Sequence, residues 1–447
     1  MALTGLDIYK LLPKTNCKEC GYPTCLAFAM KLAAKQAELA ACPYVTEEAK
    51  AQLAAAAAPP IRLVTIGAGE RKVEVGNETV LFRHDKTFFH PPGLMVRVKD
   101  TQPIDMIEKR AREVADYSVE YVGLELRFDG LAVENASGEA SAFASAVERV
   151  KETGLPLILI SSDPGAMEAA LAKSDGTSPL IYAADEENWE AMSELAKSHQ
   201  VPLAVRAAGL EPLVELVEKV RGAGVEDLVL DPGCRGLNDC LVTFTHIRRL
   251  ALQKNFRPLG FPLIAFPGEG ANSPQEEAIL AGQHIAKYAG FVVMEDFDPA
   301  LAYALLTLRQ NIYTDPREPI QVTPGIYEFG KPAPDSPLRI TTNFSITYFS
   351  VANEVEGSGI PSWLLVADSE GMSVLTGWAA GKFDADKIAK TVKTTGIEGK
   401  VNHRKLTIPG AVAVLSGELE DELPGWEILV GPREAVDLPA YLKTWKP

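Results

Sequence analysis

Between residues 93 and 296, short apolar runs rich in β-branched residues recur at nearly even intervals, each followed by a helix-like stretch. The runs are GLMVRV (93–98), YVGLELRF (121–128), PLILIS (156–161), PLIYAA (179–184), PLAVRAA (202–208), DLVLDP (227–232), PLIAFP (262–267) and FVVMED (291–296). The segments between them, such as PIDMIEKRAREVADYS and NWEAMSELAKSHQ, have the apolar spacing of amphipathic helices. Near-continuous apolar strands are expected where parallel strands are buried on both faces. Eight strand–helix repeats over a span of about 230 residues predict a closed TIM (β/α)8 barrel. Three helix starts are well marked. Asp163-Pro164, Ser273-Pro274 with Glu276, and Asp298-Pro299 each place a capping oxygen before a proline at the first helical position.

Barrel active sites sit where strands end, and polar residues gather there: Arg127, Asp129, Asp185, Arg206, Asp231, Glu269, Glu295 and Asp296. Any of them serves equally well as a helix cap or a solvated loop residue. No group among them has the pattern of a metal or nucleophile site.

Upstream, IRLVTIGAGERKVEVGNETVLF predicts short strands joined by glycine turns. Gly67 and Gly69 begin a dinucleotide pattern, but no third glycine and no helix follow, so a hairpin is the better reading. Before it, the alanine-rich AQLAAAAAPP ends in two prolines and marks a joint near residue 58.

The module ahead of that joint, residues 1–58, holds four of the chain's six cysteines: Cys17, Cys20, Cys25 and Cys42, spaced C-x2-C-x4-C-x16-C. Structural zinc sites usually present two separated C-x2-C pairs. Three close ligands and a distant fourth followed by Pro43 is the iron–sulfur habit. A 4Fe–4S cluster is therefore the favoured reading, with zinc and free thiols as the alternatives. Gly21 and Pro23 suit a tight wrap, and LAFAMKLAAKQAEL reads as a helix that carries the chain back with Cys42. A module of this size depends on its cluster for much of its stability. The other two cysteines, Cys234 and Cys240, have no further ligand nearby in sequence and read as free buried thiols.

Downstream, the stretch Thr314 to Pro337 contains six prolines and reads as an extended connector. The resulting division is 1–58, a barrel over 59–315, a connector over 316–337 and a last domain over 338–447. In that domain LRITTNFSITYFSVANEVEG, SWLLVADSEGMSVLTGWAAGKF, KLTIPG, AVAVLSGELE and WEILVGP supply strands, and DADKIAKTVKTTG and REAVDLPAYLKTW supply helices. This predicts a compact open α/β (Rossmann-like) domain. Such sheets bind ligands beyond the carboxyl ends of their strands. Gly, Ser and Thr are dense there beside Trp378, which suits a large flat ligand or, equally, ordinary turn chemistry. GWAAGK lacks the spacer and the following hydroxyl of a phosphate loop.

The 447 residues carry a formal charge of −16, which argues against nucleic acid or an anionic membrane as the main partner. MALTGLDIYKLLPKTN has no uninterrupted apolar core of a signal peptide. No apolar run approaches the roughly 18 residues of a membrane span. Few cysteines and no export signal fit a reducing cytoplasm.

The stretches CKECGYPTC and CP, the barrel, the proline-rich joint, TTNFSITYFSVANEVE and SVLTGWAAGKF together resemble one family over the whole chain. It is that of the large (gamma) subunits of corrinoid/iron–sulfur proteins of the acetyl-CoA (Wood–Ljungdahl) pathway. The cysteine motif alone is less specific than the order of the three parts with the two C-terminal stretches.

The resemblance implies a corrinoid held by the C-terminal domain. Its contacts would come from Thr341, Thr342, Asn343, Phe344, Ser345, Thr347 and Tyr348, and from Gly371, Met372, Ser373, Val374, Leu375, Thr376, Gly377, Trp378, Ala379 and Ala380. A third set is Gly431, Pro432, Arg433, Glu434 and Ala435, with Thr376 the candidate beneath the cobalt. It implies a cobalamin-type cofactor with its base off cobalt and no histidine ligand. In agreement, His84, His90, His199, His246, His284 and His403 all lie outside any D-x-H-x-x-G pattern. The implied role is methyl carriage: cobalt(I) accepts the methyl group, methyl-cobalt(III) delivers it, and the cluster re-reduces stray cobalt(II). No catalytic side chain is implied.

The implied partners are a small subunit forming a heterodimer, a methyltetrahydrofolate methyltransferase (or a pterin-dependent one) and the acetyl-CoA synthase/CO dehydrogenase complex. Two other functions remain open. One is a 4Fe–4S electron-transfer or reductive-activation protein without its own corrinoid. The other is a free-standing barrel methyltransferase with Asp231 or Asp296 in a folate pocket.

Overall fold

The computed structural model describes residues 5–33, 37, 39–46, 49–50, 53, 59–315 and 319–447. The joint expected near residue 58, part of the helix expected to reach Leu39 and the start of the connector lie outside the described residues. The chain forms two compact units, Met1–Ser118 with Arg127–Tyr313, and Val119–Leu126 with Thr314–Pro447.

In the first unit, α1 (Gly5–Leu11) and α2 (Cys25–Ala33) pack around a small core of Ile8, Leu12, Phe28, Ala29 and Val45, to which Cys25 and Cys42 belong. The antiparallel strands β1 (Val64–Ile66) and β2 (Val73–Val75) form the expected hairpin. Strand β3 (Gly93–Lys99) and helix α3 (Ile104–Asp116) open the barrel. The next pair, β4 (Val119–Tyr121) and β5 (Leu124–Leu126), belongs to the second unit.

The remaining barrel elements alternate without interruption. They are β6 (Gly130–Glu134), α4 (Ala140–Lys151), β7 (Leu157–Ile160), α5 (Pro164–Lys173), β8 (Leu180–Ala184), α6 (Trp189–His199), β9 (Leu203–Arg206) and α7 (Leu210–Gly222). Then come β10 (Leu228–Asp231), α8 (Leu237–Gln253), β11 (Leu263–Ala265), α9 (Pro274–Ala286), β12 (Ala289–Met294) and α10 (Pro299–Tyr313). The eight strands close in sequence order, β3-β6-β7-β8-β9-β10-β11-β12, all parallel. Inward side chains such as Met95, Ala132, Ile158, Val229 and Phe291 fill the interior. Val64, Ile66, Val73 and Val75 of the β1–β2 hairpin join that same core, and Gly67 N–H donates to the Ser178 carbonyl, just before β8, at 3.0 Å. The hairpin is thus a floor beneath the amino ends of the strands. All three expected caps are present: Asp163 accepts from Gly165 N, Ser273 from Glu276 N, and Asp298 from Ala300 N and Leu301 N.

One barrel strand was misplaced by sequence. YVGLELRF forms the β4–β5 hairpin outside the barrel, because Val122 and Gly123 take left-handed φ values of 53° and 77° and turn the chain back. The second barrel strand is GLAVE, residues 130–134.

The second unit is a five-stranded sheet. Its strands are β13 (Gly325–Phe329), β14 (Leu338–Thr342), β15 (Ser362–Ala367), β16 (Lys405–Ile408) and β17 (Glu427–Val430), in the order β13-β15-β14-β16-β17. The last four in sequence are parallel, and β13 is an antiparallel edge. The helices are α11 (Ser345–Gly357), α12 (Val374–Ala379), α13 (Ala385–Thr395), α14 (Ser416–Glu422) and α15 (Leu438–Leu442). Two expectations are corrected. The connector is not wholly extended linker, since GIYEF becomes the edge strand β13, a position that tolerates flanking prolines. AVAVLSGELE is not a strand: residues 410–415 form a 3₁₀ turn that runs into α14. Leu338, Ile340, Leu365, Phe383, Ile388 and Leu406 make the core of one face.

Candidate functional site in the C-terminal sheet

Strand β14 lies between β15 and β16, so the connections leave it in opposite directions and the strand order reverses there. In open α/β sheets that reversal opens a crevice at the carboxyl ends. It is pronounced here, because β14 and β16 register through a single pair, Arg339 with Thr407, before they part. A cavity of about 540 Å³ occupies the gap.

Arg339 and Thr341 of β14 and Thr407 of β16 line this cavity, with Ile346, Thr347, Ser350 and Val351 of α11 along one side. Ser373, Val374 and Leu375 approach from the β15 loop, and Gly431 to Ala435 from the β17 loop. Two glycines bring the walls together. A Cβ on Gly410 would stand 2.4 Å from the Gly431 carbonyl oxygen, and one on Gly431 would stand 2.9 Å from Thr407 Cγ2. Gly410 N–H donates to the Pro432 carbonyl, and Gly431 N–H to that of Ile408.

The polar atoms around β14 are unusual. Arg339 Nε and Nη1, Thr341 Oγ1, Thr342 Oγ1 and Ser345 Oγ are buried without a hydrogen-bond partner among the described residues. Each such group costs about 1–3 kcal/mol, more when charged, and a cluster of them on one segment calls for a partner from outside the chain. Arg339 is only 3% exposed; burial pulls its guanidinium down to about 10, with Tyr441 the neighbour that opposes the shift. It remains a cation at neutral pH.

The structure sorts the residues singled out in the sequence. Thr341, Thr347, Ser373, Val374, Leu375 and the five from Gly431 to Ala435 line the cavity. Asn343 instead ties the loops: its Oδ1 accepts from Ser369 N, Ser369 Oγ and Gly371 N, and its Nδ2 donates to Gln321 and Asp368. Tyr348 is in a separate core with Ala352, Leu364 and Val366, where burial raises its hydroxyl to about 12. Phe344 precedes α11, and Gly371 and Met372 belong to the Asn343-bound turn. Thr376 sits in the short helix α12 rather than in a turn, exposed, with its Oγ1 accepting from Ser373 Oγ at 3.0 Å. Trp378, Ala379 and Ala380 are exposed on the same segment, and Gly377 is buried against Phe383. Arg339, Thr407 and Ser350 were missed. A charge within the otherwise apolar strand LRIT was the signal for the first. Exposed apolar side chains stand on segments that follow four strands: Ile346, Leu375 with Trp378, Val414 and Val436.

In the N-terminal module, the loop from residue 14 to 21 turns repeatedly through left-handed backbone at Lys14, Asn16, Lys18 and Gly21. Asn16 Oδ1 accepts from Cys25 N at 2.8 Å, and Tyr44 donates to Glu19 at 2.8 Å. These bonds draw the segments bearing Cys17, Cys20, Cys25 and Cys42 into one module. Among the described residues, no three Cys, His, Asp or Glu side chains are set at metal-ligand spacing. The donor chemistry, four thiols with Cys25 and Cys42 in the core, suits a thiophilic metal cluster.

The carboxyl end of the barrel is closed by charge. Arg97, 9% exposed, pairs with Glu269 at 2.8 Å, Glu295 at 3.2 Å and Glu134 at 3.5 Å. Asp231, fully buried, accepts from the Tyr182 hydroxyl and from Arg235 at 2.9 and 3.0 Å. Arg235 also bonds Glu269, and both guanidiniums lie within 5.3 Å of the Phe266 ring. Of the other residues expected at strand exits, Arg127 and Asp129 precede β6 and lie at the opposite end, where Asp129 binds Leu94 N and Arg309. Asp185 holds the turn into α6 and Asp296 pairs with Arg110. Cys234 and Cys240 are both buried, and the neighbouring Cys234 thiol and His284 hold Cys240 below the usual thiol range.

A switch-point cleft lined by unpaired polar atoms, a parallel eight-stranded barrel and a four-thiol module together define a multidomain protein with the features of a cofactor carrier. Comparison with known proteins agrees. A family described as "CO dehydrogenase/acetyl-CoA synthase delta subunit" matches residues 63–442, and one described as "Putative Fe-S cluster" matches residues 12–44. The corrinoid/iron-sulfur protein large subunit of Moorella thermoacetica is 46% identical over 99% of both chains. The acetyl-CoA decarbonylase/synthase complex subunit gamma of Methanopyrus kandleri is 38% identical over 99% of this chain and 97% of its own. This chain belongs to the family of corrinoid/iron–sulfur protein large subunits and acetyl-CoA decarbonylase/synthase gamma subunits.

Proposed function

We propose that this chain is a methyl-group carrier of the acetyl-CoA pathway. It binds a corrinoid in the cleft between β14 and β16 and a 4Fe–4S cluster on Cys17, Cys20, Cys25 and Cys42. The observation that carries the reading is the cleft with its unpaired buried donors, in a chain 46% identical to a corrinoid/iron-sulfur protein large subunit. When bound, the corrinoid supplies a nucleophilic cobalt that accepts and releases a methyl group.

The protein's part is binding and exposure. Thr341, Arg339 and the loop from Gly431 to Ala435 hold the ligand, Asn343 fixes the loops on either side of it, and Ile346, Leu375 and Trp378 present an apolar rim. The absence of a histidine ligand to the cofactor is supported by His403. It is the one histidine of the C-terminal unit, it is buried, and its two ring nitrogens are engaged by the Ser336 carbonyl and Lys405 N–H. The cluster thiols serve re-reduction, and the barrel serves as scaffold and docking body. The partners are a small subunit, a methyltetrahydrofolate-dependent (or pterin-dependent) methyltransferase and the acetyl-CoA synthase complex.

The test is methyl loading. The full chain carrying corrinoid, with its small subunit, should take up labelled methyl from methyltetrahydrofolate only when the methyltransferase is added. Brown protein that takes up no corrinoid would support an electron-transfer role instead. Folate binding by this chain alone would support a barrel methyltransferase.

A further inference from the structure

Arg339 is a cation that the described residues leave unanswered. It lies between Leu364 and Thr407 on parallel neighbours, is 3% exposed, and has Nε and Nη1 without partners among the described residues. Thr341, two residues on along the same face of β14, is buried with its hydroxyl equally unpaired, and both line the cleft. An uncompensated buried charge is strongly unfavourable, and an apolar residue of similar volume there would be neutral or stabilising. A guanidinium in such a place fits a planar fork onto an oxyanion brought by the ligand. The cleft, about 540 Å³, is within the size range of small-ligand sites and has room for a nucleotide-sized group. Among the substituents of a complete corrinoid, the side chains end in neutral amides and the nucleotide tail carries the one phosphodiester.

We propose that Arg339, assisted by Thr341, anchors that phosphodiester, so that the site selects corrinoids that keep their nucleotide tail. This rests on the corrinoid reading given above.

The test uses the full chain produced without corrinoid, as wild type, Arg339→Met and Arg339→Lys. Each is titrated with hydroxocobalamin, cobinamide phosphate and cobinamide by equilibrium dialysis, and its melting is followed with and without inorganic phosphate at matched ionic strength. The wild type should bind the two phosphate-bearing corrinoids at least about ten-fold more tightly than cobinamide, as a charged hydrogen-bonded contact implies. Arg339→Met should bind all three alike, and Arg339→Lys should fall between. Phosphate should raise the melting temperature of the wild type and not that of Arg339→Met. A wild type without preference, or an Arg339→Met protein that keeps it, overturns the proposal. So does an Arg339→Met protein that fails to fold, because the arginine would then be structural. If no corrinoid binds, the corrinoid reading fails and the phosphate measurement alone decides: protection of the wild type only upholds an oxyanion site, and no protection overturns it.

Discussion

Replacing Asp231 by alanine should destabilise the barrel without touching the corrinoid. The carboxylate is fully buried and receives bonds from the Tyr182 hydroxyl, two Arg235 nitrogens and Gly233 N–H. Breaking a buried ion pair from one side costs about 3–5 kcal/mol. Leaving the Tyr182 hydroxyl unpaired adds about 1–3 kcal/mol. Arg235 keeps its bond to Glu269, which relieves part of the first cost, so the sum comes to about 4 kcal/mol. For a domain of this size that is a fall of roughly 8–16 °C in melting temperature. Circular dichroism at 222 nm reads the melt, and the visible band of the bound corrinoid reads the site. A variant that melts within about 2 °C of wild type would refute the energetic argument. One that stays folded yet loses methyl transfer about a hundred-fold, some 2.7 kcal/mol of barrier, would refute the view that the barrel is a scaffold.

Other consequences are equally direct. Cys20→Ala removes one of four thiols and should lose the cluster iron and its visible absorbance; methyl transfer by chemically pre-reduced protein should survive while reductive reactivation fails. Pre-reduced Cys20→Ala that keeps its corrinoid but cannot be methylated would show that the cluster does more than repair. Thr376→His, on the exposed face of α12 next to the cleft-lining Leu375, should add nitrogen hyperfine structure to the EPR signal of the paramagnetic corrinoid and slow its reduction. An unchanged spectrum and reduction rate would place Thr376 away from the metal.

Particular residues explain what could be read in the sequence. The strands PLILIS, PLIYAA and FVVMED were legible because each is buried on both faces and so has no polar alternation. YVGLELRF differs, since Glu125 and Arg127 alternate with Leu124, Leu126 and Phe128 as in a half-exposed strand, and its turn rests on a left-handed Val122, a conformation that β-branching disfavours. The true second strand, GLAVE, opens with glycine and ends on Glu134, so its apolar run is only Leu131 to Val133. AVAVL is apolar throughout like a buried strand yet folds as a 3₁₀ turn that begins at Gly410, whose backbone lies close against the Gly431 carbonyl. In the site, glycines and hydroxyls after strands pointed to Thr341, Ser373 and Gly431. Arg339 lies before the motif, and its lack of a partner among the described residues is a property of three dimensions. Thr376 was singled out for lying next to Gly377, but the backbone there is helical and the glycine is taken up by packing on Phe383.

If the cleft between β14 and β16 holds the corrinoid, filling that space must expel the cobalt. Ser350 lines it from an exposed position on α11, so Ser350→Trp should fold normally while filling the space. The direct measurement is cobalt and iron per chain in wild-type and Ser350→Trp protein, purified without oxygen after exposure to excess hydroxocobalamin. About one cobalt per wild-type chain is expected, and near-complete loss of cobalt in the variant with its iron unchanged. A Ser350→Trp protein that retains full cobalt would place the corrinoid outside this cleft.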